Sequence, residues 1–276
     1  MKNKFTSKCP LVLDGAMGTE LLRMGVELPL PLWSAVANET CSDMVYEIHH
    51  EYVNAGANVL TTNSFRTTPY AYKKAGFSRR DALLKSEMNL KKAVSIAKQA
   101  VSGNQLIAGS IASLEDCYSP ELYPGDTQLK GSLESVIKWF HETEVDVILF
   151  ETMGNSREIS RILFFLEDCD LPIWLSLILQ DKNHLLDGTS VHEILETLST
   201  SKVEILLLNC NTIQLTLKAI HTIKRYWNGS WGVYPNLGIN NPEIDGKIEQ
   251  IISNETWRYN VNEILIEKPA VIGACC

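Results

Sequence analysis

VDVILFETMGNSREISRILFFLED, residues 145–168, decides the fold. Its first eight residues, VDVILFET, form an apolar run broken at Asp146 and closed by Glu151 and Thr152. Such a run suits a strand of a parallel sheet that is covered on both faces. A polar break follows. From Arg157 to Asp168, Ile159, Ile162, Leu163 and Leu166 recur at helical spacing, which makes one apolar stripe. Strand, break and amphipathic helix together make one β/α unit.

The same rhythm repeats on either side. Further strand-like runs occupy residues 11–14 (LVLD), 58–64 (NVLTTNS), 106–111 (LIAGSI) and 173–179 (IWLSLIL), then 204–210 (EILLLNC), 231–236 (WGVYPN) and 270–276 (AVIGACC). Helical patterns fill the gaps at 81–101, 132–144, 191–199 and 213–226. In SDMVYEIHHEYVNAGA, Val45, Ile48 and Tyr52 share a face, Thr40 or Ser42 is placed to cap, and Gly56 to stop the helix. His49 and His50 then fall on the outside of a peripheral helix. Residues 237–257, rich in Asn, Gly and Pro, read as a long loop with one weak helix. Eight strand candidates alternating with helices predict an α/β protein, a (β/α)8 TIM barrel in a single domain over residues 1–276. A doubly wound open sheet is the alternative, because periodicity does not say whether a sheet closes.

Composition narrows the function. Hydrophobic residues make up 45% and charged residues 21%, ordinary for a globular chain with a core. The net charge of −8, without a Lys/Arg-rich run, gives no footing for nucleic acid or an anionic membrane. No apolar stretch approaches the roughly 20 residues that span a bilayer. The opening MKNKFTSKCPLVLDG lacks the apolar core of a secretion signal, so a cytoplasmic location is expected. Seven cysteines, an odd number, argue against a secreted disulfide framework.

The loops after the strands form the active-site face of such a barrel. The strand ends carry Asp14, Asn63, Ser110, Glu151, Asn209 with Cys210, Tyr234, and finally Cys275 with Cys276. Cys210 closes the sixth strand and the cysteine pair the eighth, so all three reach one rim. Three thiolates at about 2.3 Å from a zinc ion would leave one tetrahedral position open, as a catalytic site requires. Spacing alone leaves this reading and plain burial equally open. For Cys9, Cys41, Cys117 and Cys169, burial as small hydrophobes is expected. Trp33 and Tyr234 are candidates to border the pocket.

LDGAMGTEL (13–21), PLWSA (31–35), TTNSFRTTP (61–69), AGS (108–110) with LEDCYSPEL (114–122), FETM (150–153), LLNCN (207–211) and IGACC (272–276) resemble the homocysteine S-methyltransferase family. The resemblance runs from about Leu11 to the last residue. It implies a barrel in which Cys210, Cys275 and Cys276 bind zinc and act in catalysis, the metal taking up the acceptor thiol. It also implies Asp14 and Glu151 as contacts for the acceptor's amino-acid end. Asn63 and Asn209, read from their places at the strand ends, are substrate-binding candidates that fit equally well as residues holding loops through hydrogen bonds. Leu207 and Ala274 stand where the family commonly has glycine. The family's chain continues past the cysteine pair into an eighth helix, whereas this sequence ends at Cys276, so a barrel lacking that helix is expected.

The chemistry fits these residues. A free thiol is only a few per cent ionised at neutral pH, and zinc coordination deprotonates it outright. The expected function is zinc-dependent transfer of a methyl group from S-methylmethionine or S-adenosylmethionine to homocysteine, giving methionine. The expected partners are small molecules only. The alternative is a non-catalytic or truncated barrel that binds zinc or an amino acid. A phosphate-binding barrel is a weaker third reading, since DGAMG lacks the fuller phosphate-loop spacing.

Overall fold

A computed structural model describes residues 9–240, 248 and 250–275. The chain opens with β1 (Leu11–Val12), α1 (Gly18–Arg23), α2 (Ala37–Thr40) and α3 (Ser42–Asn54). β2 (Val59–Thr61) is followed by α4 (Pro69–Lys74) and α5 (Arg79–Ala100), β3 (Leu106–Ala112) by α6 (Asp126–Glu142), and β4 (Val147–Met153) by α7 (Ser156–Phe165). After β5 (Ile173–Leu177), an antiparallel hairpin of β6 (Leu179–Asp181) and β7 (His184–Leu185) precedes α8 (Val191–Ser199). β8 (Val203–Thr212) leads to α9 (Ile213–Tyr226), β9 (Ser230–Asn236) to α10 (Asn254–Ile266), and β10 (Val271–Ile272) follows.

Eight strands pair in parallel in the order β1-β10-β9-β8-β5-β4-β3-β2. The two edges then meet. Leu13 bridges to Val59, the Asp14 amide donates to the Val59 carbonyl at 2.9 Å, and the Asn58 amide donates to that of Val12 at 2.7 Å. The sheet is a TIM barrel, which removes the open doubly wound alternative.

Two cores explain why the strands read as apolar throughout. Leu13, Val59, Val147, Leu149, Trp174, Ile205, Leu207 and Val271 fill the barrel interior. Their strand neighbours, such as Ile148, Phe150, Leu206 and Leu208, face the helices in a larger outer core. Leu207, one of the departures from glycine, is fully buried, and the neighbouring strand makes room for it. A Cβ on Gly232 would lie 2.9 Å from Leu207 Cδ2 and 2.3 Å from the Val271 carbonyl oxygen. Val12, on the outer side of β1, is 40% exposed.

Several expectations need correction. α6 starts at Asp126, six residues before the expected 132, because Gly125 at φ +98° turns the chain directly into it. α10 begins near the end of the expected 237–257 loop and runs on to Ile266. Its fully buried residues are Asn260 and Ile264, too thin a stripe for periodicity to reveal. Residues 241–247 and 249 lie outside the described residues. α3 is preceded by Cys41 at its N-cap, with no side-chain cap from Thr40 or Ser42, while Gly56 at φ +101° ends it as expected. His49 is fully buried rather than superficial. Cys9 is exposed and Cys41 and Cys169 are half-buried, leaving Cys117 as the buried member of that group. Among the described residues no helix is long and apolar enough to cross a membrane.

Candidate active site

Polar side chains gather where the strands end, around a cavity of about 400 Å³ at the C-terminal face of the barrel. Asp14, Trp33, Asn63, Arg66, Glu151, Asn209, Cys210, Tyr234, Ala274 and Cys275 all line it. Cys276 lies outside the described residues.

The two cysteines meet because β8 bends. Cys210 has φ +52°, a left-handed conformation costly for a residue with a Cβ, at a register shift between Asn209 and Thr212. Thr152 has φ +54° at a similar shift near the end of β4. Asn209 joins the two bends. Its Oδ1 accepts from the Thr152 amide at 2.9 Å and from the Ser176 hydroxyl at 2.7 Å, and its Nδ2 lies 3.4 Å from Cys210 Sγ. Asn236 Nδ2 donates to the Cys210 carbonyl at 3.0 Å. Cys210 Sγ and Cys275 Sγ are 2.8 Å apart, and the Cys210 amide donates to Cys275 Sγ at 3.0 Å. Ala274 needs no positive φ, so its methyl group adds no backbone strain.

Among the described residues no group of three His, Cys, Asp or Glu side chains is placed to hold a metal. The donor chemistry still suits zinc. Two soft sulfur donors converge on the cavity, as a thiolate zinc site requires. Two thiolates on one tetrahedral zinc stand roughly 3.8 Å apart, by geometry from Zn–S distances of about 2.3 Å, so the pair would part by about 1 Å to take the ion.

Across the cavity are the carboxylates. Asp14 is buried, and its Oδ2 accepts from the Thr61 amide at 2.7 Å. Burial pushes its carboxyl up to about 8, against the lowering effect of the Thr61 hydrogen bonds, and the nearby charge of Glu151 adds to the rise. Glu151, also buried, accepts a hydrogen bond from the Ser110 hydroxyl. Burial likewise holds the Tyr234 phenol well above its usual range, with Glu151 reinforcing it, so the phenol stays neutral.

Asn63 has a different setting. Its Nδ2 donates to the Ser34 carbonyl at 2.8 Å and to Asn38 Oδ1 at 2.9 Å, while its Oδ1 accepts from the Ser34 hydroxyl at 2.6 Å. Asn38 and Asn89 extend this buried chain to the Ala35 carbonyl. The network fixes the segment that carries Trp33, held at φ +51°, over the cavity. Leaving such partners unpaired costs about 1–3 kcal/mol each. Asn63→Ala is therefore expected to lower stability by about 2–4 kcal/mol, read by thermal or denaturant melting. A stability unchanged within about 0.5 kcal/mol would refute that holding role.

Another part of the cavity lining, the 113–116 loop, is held by Glu158, which sequence patterns did not single out, and by Arg66. Glu158 Oε1 accepts from the Leu114 amide at 3.1 Å, and Arg66 Nη1 donates to the Glu115 carbonyl at 2.6 Å. Both therefore hold the backbone of the 113–116 loop.

The homocysteine S-methyltransferase profile matches residues 11–276. The chain belongs to this family. Homocysteine S-methyltransferase 3 of Zea mays is 30% identical over 96% of this chain and 86% of its own length. A selenocysteine methyltransferase of Astragalus bisulcatus is 27% identical over 96% of this chain and 88% of its own. Among solved structures, the metallated form of the Escherichia coli homocysteine methyltransferase MmuM superposes with a TM-score of 0.83 at 24% identity, covering 98% of this chain and 92% of that one. At that identity the superposition speaks for the barrel alone. Membership of the homocysteine S-methyltransferase family makes the chain a methyltransferase enzyme with small-molecule substrates, and the non-catalytic alternative gives way.

Proposed function

We propose that the chain transfers a methyl group from a small sulfonium donor, S-methylmethionine or S-adenosylmethionine, to the thiol of homocysteine, giving methionine with zinc as cofactor. The observation that carries this reading is the meeting of Cys210 and Cys275 in one cavity with Asp14 and Glu151. Cys210 and Cys275, with Cys276 as the third ligand, would hold the zinc. When bound, zinc keeps the acceptor sulfur deprotonated at neutral pH.

The remaining work falls to the chain's own side chains. Asp14 and Glu151 take the ammonium end of the acceptor and fix where its sulfur points. Their charge, with that of the thiolates, favours a cationic donor. In-line displacement gains most from this placement, since held reactants need no further loss of motional freedom. Asn209 acts from behind by holding the bends at Thr152 and Cys210. Asn63 sits at the wall that carries Trp33, against which the donor would pack. No general base is required once the sulfur is ionised.

The test is turnover. Zinc-loaded protein, prepared under reducing conditions, is expected to form methionine from homocysteine with one of the two donors, and chelation is expected to stop it. Turnover that persists undiminished in fully metal-stripped protein would refute the zinc reading. Turnover with neither donor would refute the donor class.

A further inference from the structure

α3 presents two side chains to the turn after β1. Tyr52 donates from its hydroxyl to the Ala16 carbonyl at 2.9 Å, and its ring lies where a Cβ on Gly15 would be, 2.6 Å away. These contacts press α3 against the turn. One helical turn earlier, on the same face, is His49, fully buried. Around it on α3 are Val45, Ile48 and Val53, and the first two join an aliphatic cluster with Leu21, Leu28 and Ile96. Neither ring nitrogen of His49 has a hydrogen-bond partner.

Such a residue needs a reason. A buried polar group without a partner costs about 1–3 kcal/mol, and an apolar side chain would fill the position without that cost. The nearest opposite group is decisive: His49 Nδ1 lies 3.9 Å from Asp14 Oδ2. Oδ2 already accepts from the Thr61 amide, and a carboxylate oxygen has room for a second donor. A small rotation of the carboxyl or the imidazole closes the gap.

We infer that His49 is the positioning residue of the amino-group pocket, its Nδ1–H turning to Asp14 Oδ2 when Asp14 takes the substrate's ammonium group and leaving Oδ1 for the ligand. This rests on the reading of Asp14 as the ammonium contact. Burial lowers the His49 pKa to about 4, so the ring is neutral and serves as a dipolar donor rather than a second cation. The orphan nitrogen is then a feature of the empty pocket, satisfied in the occupied one. A neutral donor suits this task, because a fixed positive charge would compete with the ligand's ammonium group for the same carboxylate.

The test compares two amides. His49→Asn keeps an N–H donor about where Nδ1 stands, while His49→Gln moves it out toward the place of Nε2. Gln is closer to His in volume, so a packing role favours Gln and the proposed role favours Asn. Calorimetric binding of methionine reads the amino-group pocket without the thiol or the metal, and homocysteine kinetics give KM and kcat. Expected for His49→Gln is affinity for both amino acids weaker by about tenfold or more, with the loss in KM rather than kcat. His49→Asn is expected to stay within about threefold of the parent. In an Asp14→Asn background, His49→Gln is expected to cost less than about twofold, since the partner is already gone. Equal losses in the two amide variants, parental affinity in His49→Gln, or an undiminished loss in the Asp14→Asn background would overturn the proposal while leaving the Asp14 reading intact. Parental affinity in Asp14→Asn alone would overturn both.

Discussion

Cys210→Ala is expected to remove bound zinc and to lower kcat/KM for methionine formation by about a thousandfold or more. The left-handed bend at Cys210 brings its sulfur to 2.8 Å from that of Cys275, and among the described residues no group of three His, Cys, Asp or Glu side chains is placed to hold a metal in its stead. Without it, two thiolates at most remain, and zinc sites built on two protein ligands bind weakly. Alanine also relieves nothing, because it keeps a Cβ at the same positive φ. The fold should therefore survive, and a melt beside the metal assay checks this. About one zinc per chain in the parent and almost none in the variant is the expected pair of values. A variant that keeps its zinc and its turnover would show that the ion, if required, sits elsewhere.

Asp14→Asn is expected to weaken homocysteine binding by about a hundredfold and to remove part of its pH dependence. The magnitude follows from losing one charge-assisted contact in a buried site, about 1.5–3 kcal/mol. The sign of the pH effect follows from the raised carboxyl. With a pKa of about 8 in the empty pocket, Asp14 is mostly protonated at pH 7, and binding an ammonium group must expel that proton. Affinity for the amino-acid end then rises as pH climbs toward about 8 and levels off above it. The thiol's own ionisation pushes homocysteine in the same direction, so methionine, which has none, isolates the Asp14 contribution. Methionine binding to the parent should strengthen between pH 6 and about 8, and Asp14→Asn should flatten that rise. A parental profile that stays flat over this interval would mean that Asp14 is already ionised before the ligand arrives.

Sequence alone determined the layering. Runs such as VDVILFET are apolar because each strand is buried on both faces, and that burial writes itself directly into composition. The helical stripe of Ile159, Ile162 and Leu166 is legible for the same reason. The strand-end positions of Asp14, Glu151, Asn209 and Cys210 follow once the strands are located, since parallel strands all end on one rim. DGAMGTEL and the split cysteines carried the family.

What the tertiary structure decided involves groups whose environment comes from distant parts of the chain. The left-handed backbone at Thr152 and Cys210 has no local signal, because neither residue favours it, and Asn209, beside the cysteine on β8, reaches past β5 to the Thr152 amide. Asn63 reads equally well as a ligand contact or a scaffold, and its three bonds to Ser34 and Asn38 exist only because β2 ends beneath that segment. α10 buries too little for its period to stand out. His49 is the clearest case. Beside His50 it looks like half of a polar surface pair, and only the packing of α3 against the turn after β1 puts one ring in water's reach and the other against Asp14. Periodicity reports which residues are apolar. It does not report which polar residue a fold encloses, because that depends on a partner supplied from dozens of residues away.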